Sequence, residues 1–117
     1  MSGAQPAAAA RDAAAAVFRL VASADGRFAA EGPLTFATAR RARELGELTV
    51  ARAAAGTALE IACAGITASD SAGLAVLLDW LGAARRAGRT LRYTQLPPGI
   101  TALAHISEVE ALLQSGA

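Results

Sequence analysis

Hydrophobic and polar positions follow a different period in each segment of this chain, beginning with a pattern typical of strands. Residues 17–21 combine valines with phenylalanine and leucine, which favours a strand. Asp25 and Gly26 then form a preferred two-residue hairpin turn, and residues 27–30 continue as a second short strand. Residues 17–30 are therefore predicted to form an antiparallel hairpin.

A helix is predicted next, because the apolar spacing changes after Gly32 and Pro33. This pair is expected to end the second strand, with the helix beginning near Leu34 or Thr35. One face of the helix is predicted from positions that recur at helical spacing and are mostly apolar: Leu34, Ala37, Arg41, Leu45 and Leu48.

The second half reads as strand, helix, strand, helix. Strands are predicted at residues 59–64 and 90–96, on either side of a helix from about Ser71 to Arg86. A last helix follows Pro97 and Pro98 and includes a final turn through Leu113. Since two strands joined by a helix normally run parallel, the predicted fold is α/β: a small mixed sheet of about four strands covered by helices.

The helix at residues 71–86 carries apolar residues on two faces. Leu74, Leu77, Leu78, Leu81 and Ala84 form one stripe, which is expected to cover the sheet. A second line contains Val76 and Trp80, and a helix that is apolar on two sides is either buried or presents one side to a partner. Trp80 is thus expected either to pack against the first helix or the N-terminal segment, or to contact a partner protein.

The start of this helix carries the most specific local chemistry. Ser71 falls in the first turn, where backbone N–H groups lack helical partners and the helix dipole favours negative charge. A phosphate on this hydroxyl would be stabilised there. The structural alternative is that Asp70 or Ser69 caps the helix and Ser71 is only a first-turn residue.

Composition excludes several other functions. The chain has 117 residues, a formal charge of +1 and 4% aromatic residues, which disfavours nucleic-acid binding and direct membrane insertion. The single cysteine, Cys63, and the single histidine, His105, form no metal-ligand cluster or catalytic pair, so neither an enzyme nor a cofactor is predicted. Residues 1–16 are alanine-rich and are expected to be a flexible tail before one domain at 17–114, in a cytoplasmic protein without a signal peptide.

The order of motifs resembles the STAS domain family, which includes anti-sigma-factor antagonists and the MlaB-type subunit of the bacterial phospholipid-transport ABC system. The family signature Asp-Ser-x-Gly-Leu at a helix start matches residues 70–74. Residues 31–38, the Leu-Leu-Asp-Trp-Leu run at 77–81, the Leu-Pro-Pro run at 96–98 and Leu103-Ala104 support the MlaB type in particular. The resemblance covers about residues 17–113.

This resemblance implies a non-enzymatic cytoplasmic subunit that binds and stabilises or regulates the ATPase of an ABC phospholipid transporter, and that is held at the inner membrane through the transporter complex. The transport would serve lipid exchange between membranes and outer-membrane lipid asymmetry. The alternative is an anti-sigma-factor antagonist that an anti-sigma kinase switches by phosphorylating Ser71. The expected partner-binding residues are Ser69, Asp70, Ser71, Ala72, Gly73, Val76 and Trp80.

Two departures from the family pattern bear on these alternatives. Many members carry Asp-Leu-Ser-Gly at the end of the central strand, where this chain has Ala-Cys-Ala-Gly at 62–65. The missing acid counts against phosphorylation by a partner kinase. The usual Tyr-Gly at the break in the last helix is replaced by Ser107 and Glu108, which is expected to alter the final turn while keeping Leu112 and Leu113 in place.

Overall fold

A four-stranded mixed sheet is the frame of the structure, a computed structural model that describes residues 17–116. Its strands lie side by side in chain order: β1 (Arg19–Ala24), β2 (Arg27–Leu34), β3 (Ala58–Ser69) and β4 (Thr90–Thr94). β1 and β2 form the predicted antiparallel hairpin, whereas β2, β3 and β4 run parallel. The alanine-rich segment 1–16, predicted to be a tail, lies outside the described residues.

Within residues 17–116, four helices accompany the sheet: α1 (Ala39–Arg52), α2 (Ser71–Arg86), α3 (Pro98–Ile106) and α4 (Glu110–Ser115). The predicted α/β fold class is therefore confirmed, and α2 has the predicted bounds. Burial alternates along β3, where Leu59, Ile61 and Cys63 are in the core while Glu60 and Ala62 lie on the opposite face. None of the helices in the described part of the chain has the length and apolar character needed to cross a membrane.

The prediction that Gly32 and Pro33 end the second strand is wrong. β2 continues through both residues to Leu34, and α1 begins only at Ala39. Proline is tolerated here because the pairing of β2 with β1 ends at Glu31, so no ladder with β1 requires an N–H from Pro33. Gly32 has φ +90°, a left-handed conformation that accompanies the irregular register of β2 against β3 at this point.

The predicted apolar face of the first helix is also wrong. The buried residues of α1 are Ala42, Gly46 and Val50, whereas Leu48 is 46% exposed. The reason is that small residues make room for a large one, since the indole of Trp80 packs against this face of α1 and its Nε1–H donates to the carbonyl of Ala42 at 3.2 Å.

Two other predicted strand ends differ from the structure. The prediction ends β3 at residue 64, but the strand continues to Ser69, because its parallel pairing with β2 extends to the pair Leu34 and Ser69. β4 ends at Thr94, before Gln95, which has φ +57°. The final helix, predicted to be one helix with a last turn through Leu113, is instead two helices, α3 and α4, with Leu113 buried but Leu112 exposed.

Candidate functional site

The site is built on the start of α2, where Asp70 is the helix cap. Its Oδ1 accepts a hydrogen bond of 3.1 Å from the backbone N–H of Gly73, the third residue of the helix. This interaction satisfies one of the N–H groups that a helix start leaves unpaired. Of the two capping residues considered from the sequence, Asp70 performs the role.

The second oxygen of the same carboxylate reaches a distant part of the chain. Asp70 Oδ2 accepts a hydrogen bond of 3.0 Å from the backbone N–H of Phe36, in the connection between β2 and α1. The N–H of Phe36 lowers the pKa of the Asp70 carboxyl below its ordinary value, because the bond favours the charged form. Partial burial opposes this shift, and the N–H groups of Gly73 and Ala72 add to it. One carboxylate therefore joins the start of α2 to the loop before α1.

The loop that carries Phe36 is also fixed by Thr38. The Thr38 hydroxyl donates to the carbonyl of Pro33 at 2.9 Å and accepts from the N–H of Thr35 at 3.0 Å. With its backbone held on both sides, Phe36 projects an aromatic ring that is 85% exposed. An aromatic side chain held this far into solvent is available for contact with a partner.

A shallow surface groove of about 370 Å³ separates the first turns of α1 and α2. We call it the α1–α2 groove. Its lining combines small apolar side chains and the exposed phenylalanine with charged residues: Phe36, Ala39, Arg40, Arg43, Ala72, Ala75, Val76 and Asp79.

The predicted partner-binding residues divide into two groups. Ser71 is exposed, and Ser69, Asp70 and Ala72 are half-buried around the start of α2, so these four are brought together at the surface. The Ser71 hydroxyl makes no hydrogen bond to any residue between 17 and 116. The remaining three predicted residues, Gly73, Val76 and Trp80, are buried.

Gly73 has a structural reason for its place in the motif. A Cβ atom at this position would overlap the backbone carbonyl oxygen of Leu34, because the first turn of α2 lies directly against the end of β2. Glycine therefore permits the close approach that brings Asp70 within reach of Phe36. Gly73 is therefore buried and has a structural role at the site, without being a surface contact.

The expectation that Trp80 and Val76 contact a partner directly is not supported, because both side chains lie in the domain core. Trp80 is 0% exposed and Val76 is 3% exposed. α1 covers the second apolar line of α2, and the Trp80 indole also contacts the rings of Phe18 and Tyr93, at centroid distances of 5.9 and 6.5 Å. The alternative that Trp80 packs against the first helix is the one observed.

Phe36 is the site residue that reasoning from the sequence missed. It lies 34 residues from Asp70 along the chain, so no local spacing connects them. The available signal was its place in the segment at 31–38 that carries part of the family resemblance, in a chain with only three phenylalanines.

Other reactive side chains lie apart from this site. Burial raises the pKa of the Cys63 thiol to about 12, which keeps it protonated inside the core. His105 is exposed on α3, and its Nδ1 lies 3.2 Å from Glu110. Within residues 17–116, no cluster of histidine, cysteine and carboxylate side chains could hold a metal ion.

Comparison with known proteins decides the family. A family model described as "Mlab, STAS domain" matches residues 21–114, which is most of the chain. The chain belongs to the STAS domain family. A search of curated proteins finds no match. Membership supports a small regulatory or interaction domain, and domains of this kind are generally non-catalytic.

Among solved structures, this STAS domain is similar to part of the murine Solute Carrier 26 family member A9 (Slc26a9) anion transporter in its inward-facing state. The TM-score is 0.53 at 14% sequence identity, over 77% of this chain and 14% of the transporter chain. At this identity the similarity concerns the fold alone. The matched part is a small fraction of the transporter.

Proposed function

We propose that this STAS domain is a cytoplasmic subunit that binds the ATPase of an ABC phospholipid transporter and stabilises or regulates it. Its place at the inner membrane would come from the transporter complex, and the transport would maintain lipid asymmetry of the outer membrane. The MlaB description of the matching family supports this assignment. The observation that carries the binding function is the 85% exposed Phe36, which Asp70 fixes beside the start of α2.

Preorganisation is the physical argument for a docking surface here. Hot spots of protein interfaces are rich in aromatic side chains, and a side chain on an already ordered backbone loses less entropy on binding. The Phe36 backbone is held by Asp70, and its loop is held by Thr38. The neighbouring Ala72 and Ala75 are small enough to let a partner approach α2 closely.

Affinity purification of the tagged full-length chain from its own cells, with mass-spectrometric identification of co-purifying proteins, tests the proposal. We expect an ABC ATPase together with its permease. A chain that recovers neither, at levels above a tag-only control, would contradict the proposed function.

A matched pair of variants tests the surface in the same experiment. Ala75→Arg places a bulky charge in the α1–α2 groove, whereas Ala51→Arg places the same side chain on an exposed position in the last turn of α1. We expect Ala75→Arg to lose the ATPase and Ala51→Arg to retain it. Equal recovery by both variants would exclude the groove as the docking surface. A charged residue at Trp80 is not a suitable test, because it would disrupt the core.

A second candidate is an anti-sigma-factor antagonist, and the exposed hydroxyl of Ser71 in the first turn of α2 favours it. A phosphate there would add about −1.5 to −2 charges beside the groove. Recovery of a serine kinase of the anti-sigma type, with phosphate on Ser71 by mass spectrometry, would support this candidate over the transporter subunit.

A further inference from the structure

We propose that the α1–α2 groove recognises an acidic, amphipathic segment of its partner, in which an apolar side chain packs against Phe36 and a neighbouring carboxylate pairs with Arg40. This inference rests on the proposed function, since the partner is the transporter ATPase. It adds the chemistry of the partner segment and names the two residues of this chain, Phe36 and Arg40, that contact it.

The apolar contact with the partner segment would be made by side chains that line the groove. Phe36 exposes most of its ring, and Ala39, Ala72 and Ala75 line the adjoining surface without side chains that would fill the space. An apolar side chain entering beside Phe36 would remove that aromatic surface from water. Burial of an aromatic anchor of this kind is a typical source of binding energy at protein interfaces.

The electrostatic part of the recognition comes from an excess of positive charge at the groove. Two arginines and one aspartate line it, which leaves a net charge of 2 − 1 = +1. Arg43 already lies 3.8 Å from Asp79 and 3.9 Å from Glu47. Arg40, by contrast, is exposed and has no carboxylate within 4.0 Å in the described part of the chain. An incoming carboxylate therefore finds a guanidinium that is not already neutralised.

Arg40 is distinguished from its neighbour by position rather than by residue type. Arg41 is also exposed on α1 and likewise has no ion pair among residues 17–116, but it does not line the groove. Because the two side chains carry the same charge, they share any general electrostatic attraction to the partner. Only Arg40 is placed to make a direct contact there, which provides a matched control.

The test is a binding titration of the purified ATPase with the full-length chain and single-residue variants. We expect Phe36→Ala and Arg40→Glu each to weaken binding about tenfold or more, as losses of hot-spot contacts do. Arg41→Glu should change the affinity by less than about threefold, since its charge acts only at a distance through screened water. Arg40→Lys should restore much of the affinity that Arg40→Glu loses.

Salt dependence supplies a second readout that a purely steric role would not affect. We expect the wild-type affinity to fall as ionic strength rises, and Arg40→Gln to show a weaker dependence than Arg41→Gln. Equal effects of the Arg40 and Arg41 variants would overturn the inference while leaving the ATPase as the partner. If the wild-type chain binds no ATPase, the proposed function fails and the inference falls with it.

Discussion

Gly46 of α1 and Trp80 of α2 face each other with no room between them for another carbon atom. A Cβ at residue 46 would overlap the indole atoms Nε1, Cδ1 and Cε2. The ring is fully buried, and its Nε1–H donates to the carbonyl of Ala42 one helical turn earlier. Contact between the two helices therefore depends on the absence of a side chain at one position and the largest side chain at the other.

Gly46→Ala should destabilise the domain despite the better helix propensity of alanine. Helix propensity favours alanine by about 1 kcal/mol, but forcing a methyl group into a filled core costs about 1–3 kcal/mol and here it meets an immobile ring. We expect a net loss of up to about 2 kcal/mol in the free energy of unfolding, measured by urea denaturation.

Gly82→Ala on α2 is the matched control for this substitution. Its new Cβ would meet only the flexible guanidinium of Arg86, at 3.2 Å. We therefore expect Gly82→Ala to be neutral or to stabilise the domain by up to about 1 kcal/mol. Similar effects of the two substitutions would show that the packing of Gly46 against Trp80 is looser than described.

The single tryptophan reports directly on its own burial. Because Trp80 is 0% exposed, its fluorescence emission should be blue-shifted in the folded protein and quenched weakly by acrylamide. Unfolding in guanidinium should shift the emission to the red and increase quenching. Quenching in the native protein as strong as in the unfolded chain would show that Trp80 is exposed to solvent, and a direct contact with a partner would again be possible.

Asp70→Ala should remove both hydrogen bonds of the capping carboxylate. Loss of a helix cap costs about 0.5–2 kcal/mol at neutral pH, and here the link to Phe36 is lost as well. Asp79→Ala is the control, because Asp79 is exposed and forms a 3.8 Å surface ion pair with Arg43 rather than a helix cap. We expect the control to change the free energy of unfolding by less than about 0.5 kcal/mol.

The effect of Asp70→Ala should depend on pH in a defined direction. The folded state lowers the pKa of Asp70 below its ordinary value of 3.8, so the unfolded chain takes up a proton first as the pH falls. The stabilisation by Asp70 is therefore present above pH 3.8 and is lost as the pH falls through the folded pKa. Unfolding curves of wild type and variant should converge in acid, and a constant difference across this range would contradict the role of the charged carboxylate.

Those features of the fold that depend on neighbouring residues could be predicted from the sequence. The bounds of α2 follow from the Asp70 cap, the apolar stripe and Gly88 after the last turn, which all act within a few residues. The exposed Ser71 at its start follows from the same signals. The hairpin of β1 and β2 depends on one turn and two short apolar runs.

The features that could not be predicted depend on contacts between distant residues. The leucines of α1 suggested the wrong buried face because Trp80, far along the chain, occupies the space beside Ala42 and Gly46. β2 passes through Pro33 because the ladder with β1 has already ended at Glu31, which is a property of the assembled sheet. Phe36 joined the site only through the carboxylate of Asp70.

The ends of α2 and α3 offer an internal comparison for a last prediction. Both helices end with the same pair of backbone hydrogen bonds. In α2, the N–H of Arg89 donates to the carbonyl of Ala84, and the N–H of Gly88 donates to the carbonyl of Arg85. In α3, the N–H of Val109 donates to the carbonyl of Ala104, and the N–H of Glu108 donates to the carbonyl of His105. This motif requires a left-handed residue after the cap. That residue is Gly88 in α2, with φ +69°, and Glu108 in α3, with φ +61°.

Glu108→Gly should therefore stabilise the domain, because a left-handed conformation costs an ordinary L-residue about 1–2 kcal/mol and costs glycine almost nothing. The greater freedom of glycine in the unfolded chain offsets part of this gain, so we expect about 0.5–1 kcal/mol in urea denaturation. The reverse change, Gly88→Glu, should destabilise by a similar amount, since a Cβ at residue 88 meets no atom within 4 Å and only the backbone conformation opposes it. A loss of stability on Glu108→Gly, with the expected loss on Gly88→Glu, would mean that contacts of the Glu108 side chain outweigh its backbone strain.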